Sequence, residues 1–251
     1  MSKNPEPPDL RAGWLKLARD LESHLQHLRD EGATGVEADP AQVRRLSDPP
    51  VFPPPAAEDS SGVGAGLAAI AAEVNACTQC PLHSTRTRTV PGQGATAPEI
   101  LFIGEGPGAD EDRQGLAFVG RAGQLLTKII EAMGFTREQV FIGNIVKCRP
   151  PENRVPMPEE MQTCLPFLRR QIALLKPKVI VALGATAVKG LLDVQSGITR
   201  LRGQWMSYEG IDLMPTFHPA YLLRNPAGKK DVWEDMKAVL ARLGREPPRR
   251  K

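Results

Sequence analysis

A chain of 251 residues has room for one domain of ordinary size plus an appendage, and 41% hydrophobic residues suffice for a real core. A formal charge of +3 permits a nucleic-acid partner without demanding one, and no run of 18 apolar residues speaks for a transmembrane helix. The opening MSKNPEPPDL lacks an apolar signal core, which points to the cytoplasm, where four cysteines suggest metal or cluster ligation before disulfides.

Residues 1–65 read differently from the rest. Leu10, Trp14, Leu17, Leu21, Leu25 and Leu28 recur at helical spacing among charged residues, which predicts one amphipathic helix. The stretch SDPPVFPPPAAEDSSGVGAG then reads as an extended linker. The helix is either a dispensable arm or a docking element for the main domain, a partner or a second copy.

Residues 66–251 alternate in an α/β manner. A helix, GLAAIAAEVNAC, leads to the first cysteines. A strand at 99–104 feeds an acidic glycine loop, and AGQLLTKIIEAMGF follows as a helix with Leu125, Leu126, Ile129, Ile130 and Met133 on one face. The strand VFIGNIVKC precedes a proline-rich loop. The next helix, 159–175, aligns Met161, Leu165, Leu168 and Ile172. KVIVALG is continuous and apolar, as a buried parallel strand should be. A helix, a hairpin around Gly210, the strand LMPTF and a C-terminal helix complete the domain. The pattern predicts an α/β fold, a central, mostly parallel four-stranded sheet flanked by helices. Ligands of such sheets sit beyond the carboxyl ends of the strands, here the acidic loop, Asn144 to Arg149, Gly184 and His218.

Three groups of residues carry chemistry. In LFIGEGPGADEDRQGLAFVG, Gly104, Gly106 and Gly108 follow a strand as in a phosphate cradle, yet Glu105, Asp110, Glu111 and Asp112 crowd the loop with carboxylates. A dinucleotide site needs a helix that opens at once, whereas the helical pattern begins only near Arg121, and the acids would repel a pyrophosphate. A neutral heterocycle suits the loop better, with Phe118 as a stacking face; Asp110 and Asp112 read as a solvated turn. Cys77-x-x-Cys80, Cys148 and Cys164 form the second group. Four thiolates can hold zinc or a [4Fe–4S] cluster, and the spacing lacks the two close pairs of a zinc ribbon. The third is FHPAYLLRNP, residues 217–226, where a histidine at a strand end precedes Tyr221, Leu222, Leu223, Arg224 and Asn225. Apolar side chains on a basic loop suit insertion into a base stack.

GEGPGADEDRQGLAFVGRAGQLL, NIVKCRPPENRVP, HPAYLLRNP and the four-cysteine spacing together resemble family 4 uracil-DNA glycosylase, the iron–sulfur type of bacteria and archaea, over about residues 66–244. The resemblance implies an enzyme that flips uracil out of single- or double-stranded DNA and hydrolyses its N-glycosidic bond. It implies a [4Fe–4S] cluster on Cys77, Cys80, Cys148 and Cys164. His218 would stabilise the departing base, Asn144 read the pyrimidine edge, Phe118 stack, and the backbone at Gly106 hold uracil or the water. Glu105 and Glu111 compete for the polar work, Glu111 either orienting water or crowding the C5 position against thymine's methyl. Tyr221 to Asn225, Lys147, Arg149 and Arg154 would meet DNA. The enzyme would act as a monomer away from membranes, with the N-terminal helix available to a repair or replication partner. Ala117 departs from the family, which commonly has proline there, and would loosen the placement of Phe118 without abolishing its stacking. A related subgroup that bonds covalently to uracil-DNA carries a basic, histidine-bearing insertion that is missing here, which argues for turnover. A non-catalytic cluster protein that binds DNA and a metal-dependent nucleotide-binding regulator remain as readings from other classes.

Overall fold

The computed structural model describes residues 60–248 apart from 193 and 195. The amphipathic helix read between Leu10 and Leu28, and most of the linker after it, lie outside the described residues. Helix α1 (Ser60–Ala76) opens inside the small-residue stretch that composition assigns to the linker. Its Leu67, Ile70 and Val74 recur every three to four residues and pack into the core, which overrides the low helix propensity of its glycines.

One sheet organises the domain. Strands β1 (Gln93–Gly94), β2 (Ile100–Gly104), β3 (Phe141–Asn144), β4 (Val179–Leu183), β5 (Met206–Tyr208) and β6 (Ile211–Thr216) lie in the order β1-β3-β2-β4-β6-β5. The inner four, β3-β2-β4-β6, are parallel, and β1 and β5 pair antiparallel at the edges. The expected four strands are thus the parallel centre. The edge strands are two and three residues long, too short for periodicity to mark β1 at all.

Every residue of β2, β3 and β4 is buried, because helices cover both faces. Alternation along β2 sends Leu101 and Ile103 into one core, shared with α1 and helix α4 (Pro158–Leu175). Ile100 and Phe102 enter the other, shared with helices α3 (Arg121–Ala132) and α8 (Gly228–Arg242). Helix α5 (Ala185–Leu192) and the short helices α6 (Ile198–Leu201) and α7 (Pro219–Arg224) fill the connections after β4 and β6. Among the described residues no helix is long and apolar enough to cross a membrane.

The register brings the strand ends together. Gly104 pairs with Asn144, and Leu183 with Thr216, so the carboxyl ends of all four parallel strands form one row. β3 and β4 lie on opposite sides of β2, and the reversal of direction there opens a crevice above the strand ends.

The acidic segment departs from the expected solvated turn. Residues Ala109–Gln114 form helix α2, which opens directly after the glycines rather than near Arg121. Its acids occupy the first turn, where the helix dipole favours negative charge. Asp112 is buried and accepts from the backbone N–H of Thr87 (2.9 and 3.1 Å), tying the cysteine-bearing segment to α2. Asp110 is half-buried and pairs with the exposed Arg113.

Candidate active site

Above the strand ends lies a cleft of about 580 Å³, lined by Glu105, Gly106, Phe118, Asn144, Thr186, His218, Tyr221 and Arg224 among others. The residues named from three separated motifs therefore share one site.

Asn144 ends β3 on the floor of the cleft and is 1% exposed. Its Oδ1 has no hydrogen-bond partner. Leaving a buried acceptor unpaired costs about 1–3 kcal/mol, so such an atom in a cleft marks a place for a ligand donor. Gly104 beside it has to be glycine: a Cβ there would come within 2.5 Å of both Asn144 Oδ1 and the Phe118 ring. Gly106, on the cleft wall, would bring a Cβ to 2.7 Å of a Val146 methyl, so the backbone there has no room for a carboxylate side chain.

His218 caps α7. Its Nδ1 accepts the backbone N–H of Ala220 at 3.1 Å. An accepting Nδ1 places the ring proton on Nε2, so the neutral ring is a donor at its other edge. Protein surrounds most of the ring; desolvation, reinforced by the positive charge of Arg224, pulls its pKa down to about 4. The Phe118 ring lies 5.6 Å from that of His218, tilted by 35°.

Phe118 stands at φ +52°, in the left-handed region that a bulky residue seldom adopts. Glu111 holds it there. Oε1 accepts from the N–H groups of Val119 and Gly120, both at 2.8 Å, and Oε2 from Gly108 N–H at 3.1 Å. Both carboxylate oxygens are thus engaged by backbone, and Glu111 is a clamp between the strand-end loop and the Phe118 loop. Of the glycines that resemble a phosphate cradle, Gly108 thus gives its N–H to the chain's own carboxylate. The Ala117 carbonyl accepts from Arg137 Nη2 at 2.7 Å.

Glu105 is held differently. Its Oε2 accepts from Thr186 Oγ1 at 2.5 Å, across from the start of α5. The pattern of the sequence does not single out Thr186, because its partner lies 81 residues away.

Two residues expected at DNA are instead buried. Lys147 is 1% exposed; its Nζ donates to the Asn144 carbonyl (3.0 Å) and to Gln171 Oε1 (2.8 Å), while Gln171 Nε2 donates to the Pro91 carbonyl. Burial pulls its pKa down to about 8. It braces the Asn144 segment from below. Leu222 is fully buried: HPAYLLRNP contains helix α7, and at 100° per residue Leu222 turns inward while Tyr221 and Leu223 stay exposed. Arg149 stays near the surface, bonded through Nε to Asn153 Oδ1, and Arg224 and Arg154 line the cleft. Asn225 caps α7 and donates to the Tyr221 carbonyl.

Beside the cleft, Cys77, Cys80, Cys148 and Cys164 line a second, small cavity with Val74 and Phe167. None of the four forms a disulfide. No three His, Cys, Asp or Glu side chains among the described residues converge as a single ion requires. Four thiols around one cavity are a donor set that a metal or a [4Fe–4S] cluster can use. Donors already face the sulfurs: Arg86 Nη1 lies 3.2 Å from Cys148 Sγ, and Lys147 N–H 3.3 Å from Cys164 Sγ. Burial pushes the Cys164 thiol up to about 11 and raises those of Cys80 and Cys148, so the apolar pocket disfavours bare thiolates.

The sequence matches the model of the Uracil DNA glycosylase superfamily over residues 91–237. It is 46% identical over 183 residues to the Type-4 uracil-DNA glycosylase of Thermotoga maritima, an alignment covering 70% of this chain and 94% of that protein. It is 46% identical over 182 residues to the Type-4 enzyme of Sulfurisphaera tokodaii, covering 69% and 83%. Against the Type-5 uracil-DNA glycosylase of Pyrobaculum aerophilum the identity is 30% over 172 residues, covering 62% and 75%.

Proposed function

Because the chain belongs to the uracil-DNA glycosylase superfamily, among the type-4 enzymes, we propose that Asn144, His218, Phe118 and Glu105 divide the work of uracil excision in this cleft. The reaction is hydrolysis of the N-glycosidic bond of uracil in DNA, which releases the free base and leaves an abasic site.

The observation that carries the assignment is the unpaired, buried Oδ1 of Asn144. Uracil supplies the missing donor through N3–H, and the amide Nδ2 then donates to O4. Cytosine presents the reverse pattern on that edge and leaves both pairs broken. Phe118 stacks on the flipped ring. As the bond breaks, negative charge collects on the base, and the Nε2–H of neutral His218 donates to the oxygen that bears it. Glu105 is the carboxylate for the water and the developing sugar cation, since both oxygens of Glu111 are committed to backbone. All these residues fall within 66–251, which we take as the catalytic unit. Release of free uracil from an oligonucleotide with one uracil tests the reading; a cytosine-containing duplex treated equally should stay intact.

Thr186 serves as the positioning residue for Glu105. Thr186→Ala should slow single-turnover excision about tenfold with little change in DNA affinity, as expected for one hydrogen bond to a charged group. Thr186→Ser, which keeps the hydroxyl, should restore most of the rate. Equal loss in both variants would point to packing rather than to the hydrogen bond.

We assign a [4Fe–4S] cluster to Cys77, Cys80, Cys148 and Cys164. The support is their shared apolar cavity and the N–H donors on two of the sulfurs. Once bound, the group would supply a structural cross-link. It would join the exit of α1 to the segment after β3 and to α4, and so brace Asn144 and the cleft rim. Purified protein should contain four irons and four sulfides per chain, as expected for such a cluster, and be brown. Stoichiometric zinc without sulfide would overturn the assignment.

A further inference from the structure

Five large hydrophobic side chains stand exposed among the described residues: Leu116, Val155, Met157, Tyr221 and Leu223. Four of them lie on two segments that border the cleft, the one after β3 and the one after β6. Single exposed apolar residues are ordinary on any surface, but here Val155 and Tyr221 line the opening itself, and Met157 and Leu223 follow two residues after each. Tyr221 and Leu223 belong to the motif already read as DNA-binding. Val155 and Met157 have no part in the chemistry above.

The segment that carries them is firmly held. Pro156, between them, is buried. Glu160 accepts two hydrogen bonds from Arg154 (2.8 and 2.7 Å) and a third from Met157 N–H (2.7 Å). Upstream, Glu152 and Asn153 take left-handed φ values of 54° and 57° without a glycine, and Arg149 Nε bonds Asn153 Oδ1 at 2.8 Å. The fold therefore invests in the shape of this rim, yet leaves Val155 61% and Met157 53% exposed. Val155 faces the cleft itself.

The strand order says what could meet both rims. β3 and β6 are the outer members of the parallel four, so their ends are separated by three strand spacings, roughly 14 Å at ~4.8 Å each. In a DNA strand the neighbours of one nucleotide are about 7 Å apart at ~3.4 Å per step, and farther once that nucleotide is flipped out. The strand ends from which the two rim segments leave are thus far enough apart to admit one extruded nucleotide between the segments. Arg149 on one rim and Arg224 on the other supply cations for the adjacent phosphates, Arg154 being committed to Glu160.

We infer that Val155 and Met157 form a second apolar lip, which packs on the DNA neighbour of the flipped uracil on the side away from Leu223. The inference rests on the cleft being the uracil site. It assigns this lip the bases and sugars of the same strand as occupant, so it serves single-stranded and duplex substrates alike.

The test uses the full-length, cluster-loaded protein and an oligonucleotide bearing 2′-fluoro-2′-deoxyuridine, which resists cleavage, with 2-aminopurine on its 5′ or its 3′ side. Val155→Ser with Met157→Ser should weaken binding about tenfold or more, as expected for losing buried apolar contact. It should change the 2-aminopurine fluorescence on one side only, and Leu223→Ser should change it on the other. Leu116→Ser, the exposed residue off both rims, should bind like the parent. Circular dichroism and cluster absorbance should match the parent in all variants. Binding of the double variant within twofold of the parent would overturn the inference, as would a change from dimer to monomer in light scattering, which would make the lip a contact between copies. Should the parent release no uracil from an ordinary uracil oligonucleotide, the reading of the cleft itself would fall. If it does release uracil while the lip variant binds normally, only the second lip is lost.

Discussion

His218→Ala should lower the single-turnover rate of uracil excision by about a hundred- to a thousandfold, while the dissociation constant for uracil-containing DNA changes little. One preorganised donor to a developing oxyanion is typically worth about 2.7–4 kcal/mol, and it acts chiefly in the transition state. The geometry makes the donor: Nδ1 is occupied by Ala220 N–H, which leaves the proton on Nε2. With its pKa held near 4 by desolvation and by Arg224, the ring stays neutral throughout the physiological range. The rate should therefore show no step near pH 6.5 from this group and should respond to its protonation only as pH falls toward about 4. Stability is linked in the same direction. The unfolded chain takes up this proton below about 6.5 and the folded one only near 4, so His218 costs stability progressively as pH falls through that window. Parental cleavage accompanied by weaker DNA binding would make the histidine a binding residue instead.

Asn144→Asp should be more damaging for uracil, by about 10⁴-fold in kcat/KM, because it sets a carboxylate against O4 where an amide donor is required. A buried site built for one hydrogen-bond pattern rejects its inverse far more strongly than it rejects a change of shape. The protonated acid could complement cytosine, so a trace of cytosine excision should emerge as pH is lowered. The backbone carbonyl that binds Lys147 is unchanged by the substitution, so the brace beneath the site survives. Melting temperature and cluster absorbance close to the parent, with excision lost, would fit a reading role. Excision at the parental rate would remove Asn144 from recognition.

Much of this molecule was legible before any coordinates. Long apolar strands such as Val179–Leu183 announce themselves because parallel strands are buried on both faces. The alternation of strands and helices implied the parallel centre, and the rule that ligands bind at strand ends brought Asn144 and His218 to one place. The four cysteines pointed to one shared site through their number, and the missing second close pair pointed away from a zinc ribbon.

What remained hidden depended on partners far apart in the chain. Lys147 reads as a surface cation, and only its position beneath β3, between the Asn144 carbonyl and Gln171, makes it a buried brace. Leu222 reads as a wedge until α7 forms and the helical turn carries it inward. Glu111 and Glu105 are equivalent carboxylates in the sequence. They separate when Glu111 is consumed by the N–H groups of Val119, Gly120 and Gly108, while Thr186 aims Glu105. Thus the sequence by itself determined the fold class, the family and the residue types available for the chemistry, because periodicity and motif order are local properties. Which carboxylate is free, which cation is buried and which apolar side chains face outward were decided by tertiary structure alone, because each is settled by hydrogen bonds and packing between distant segments.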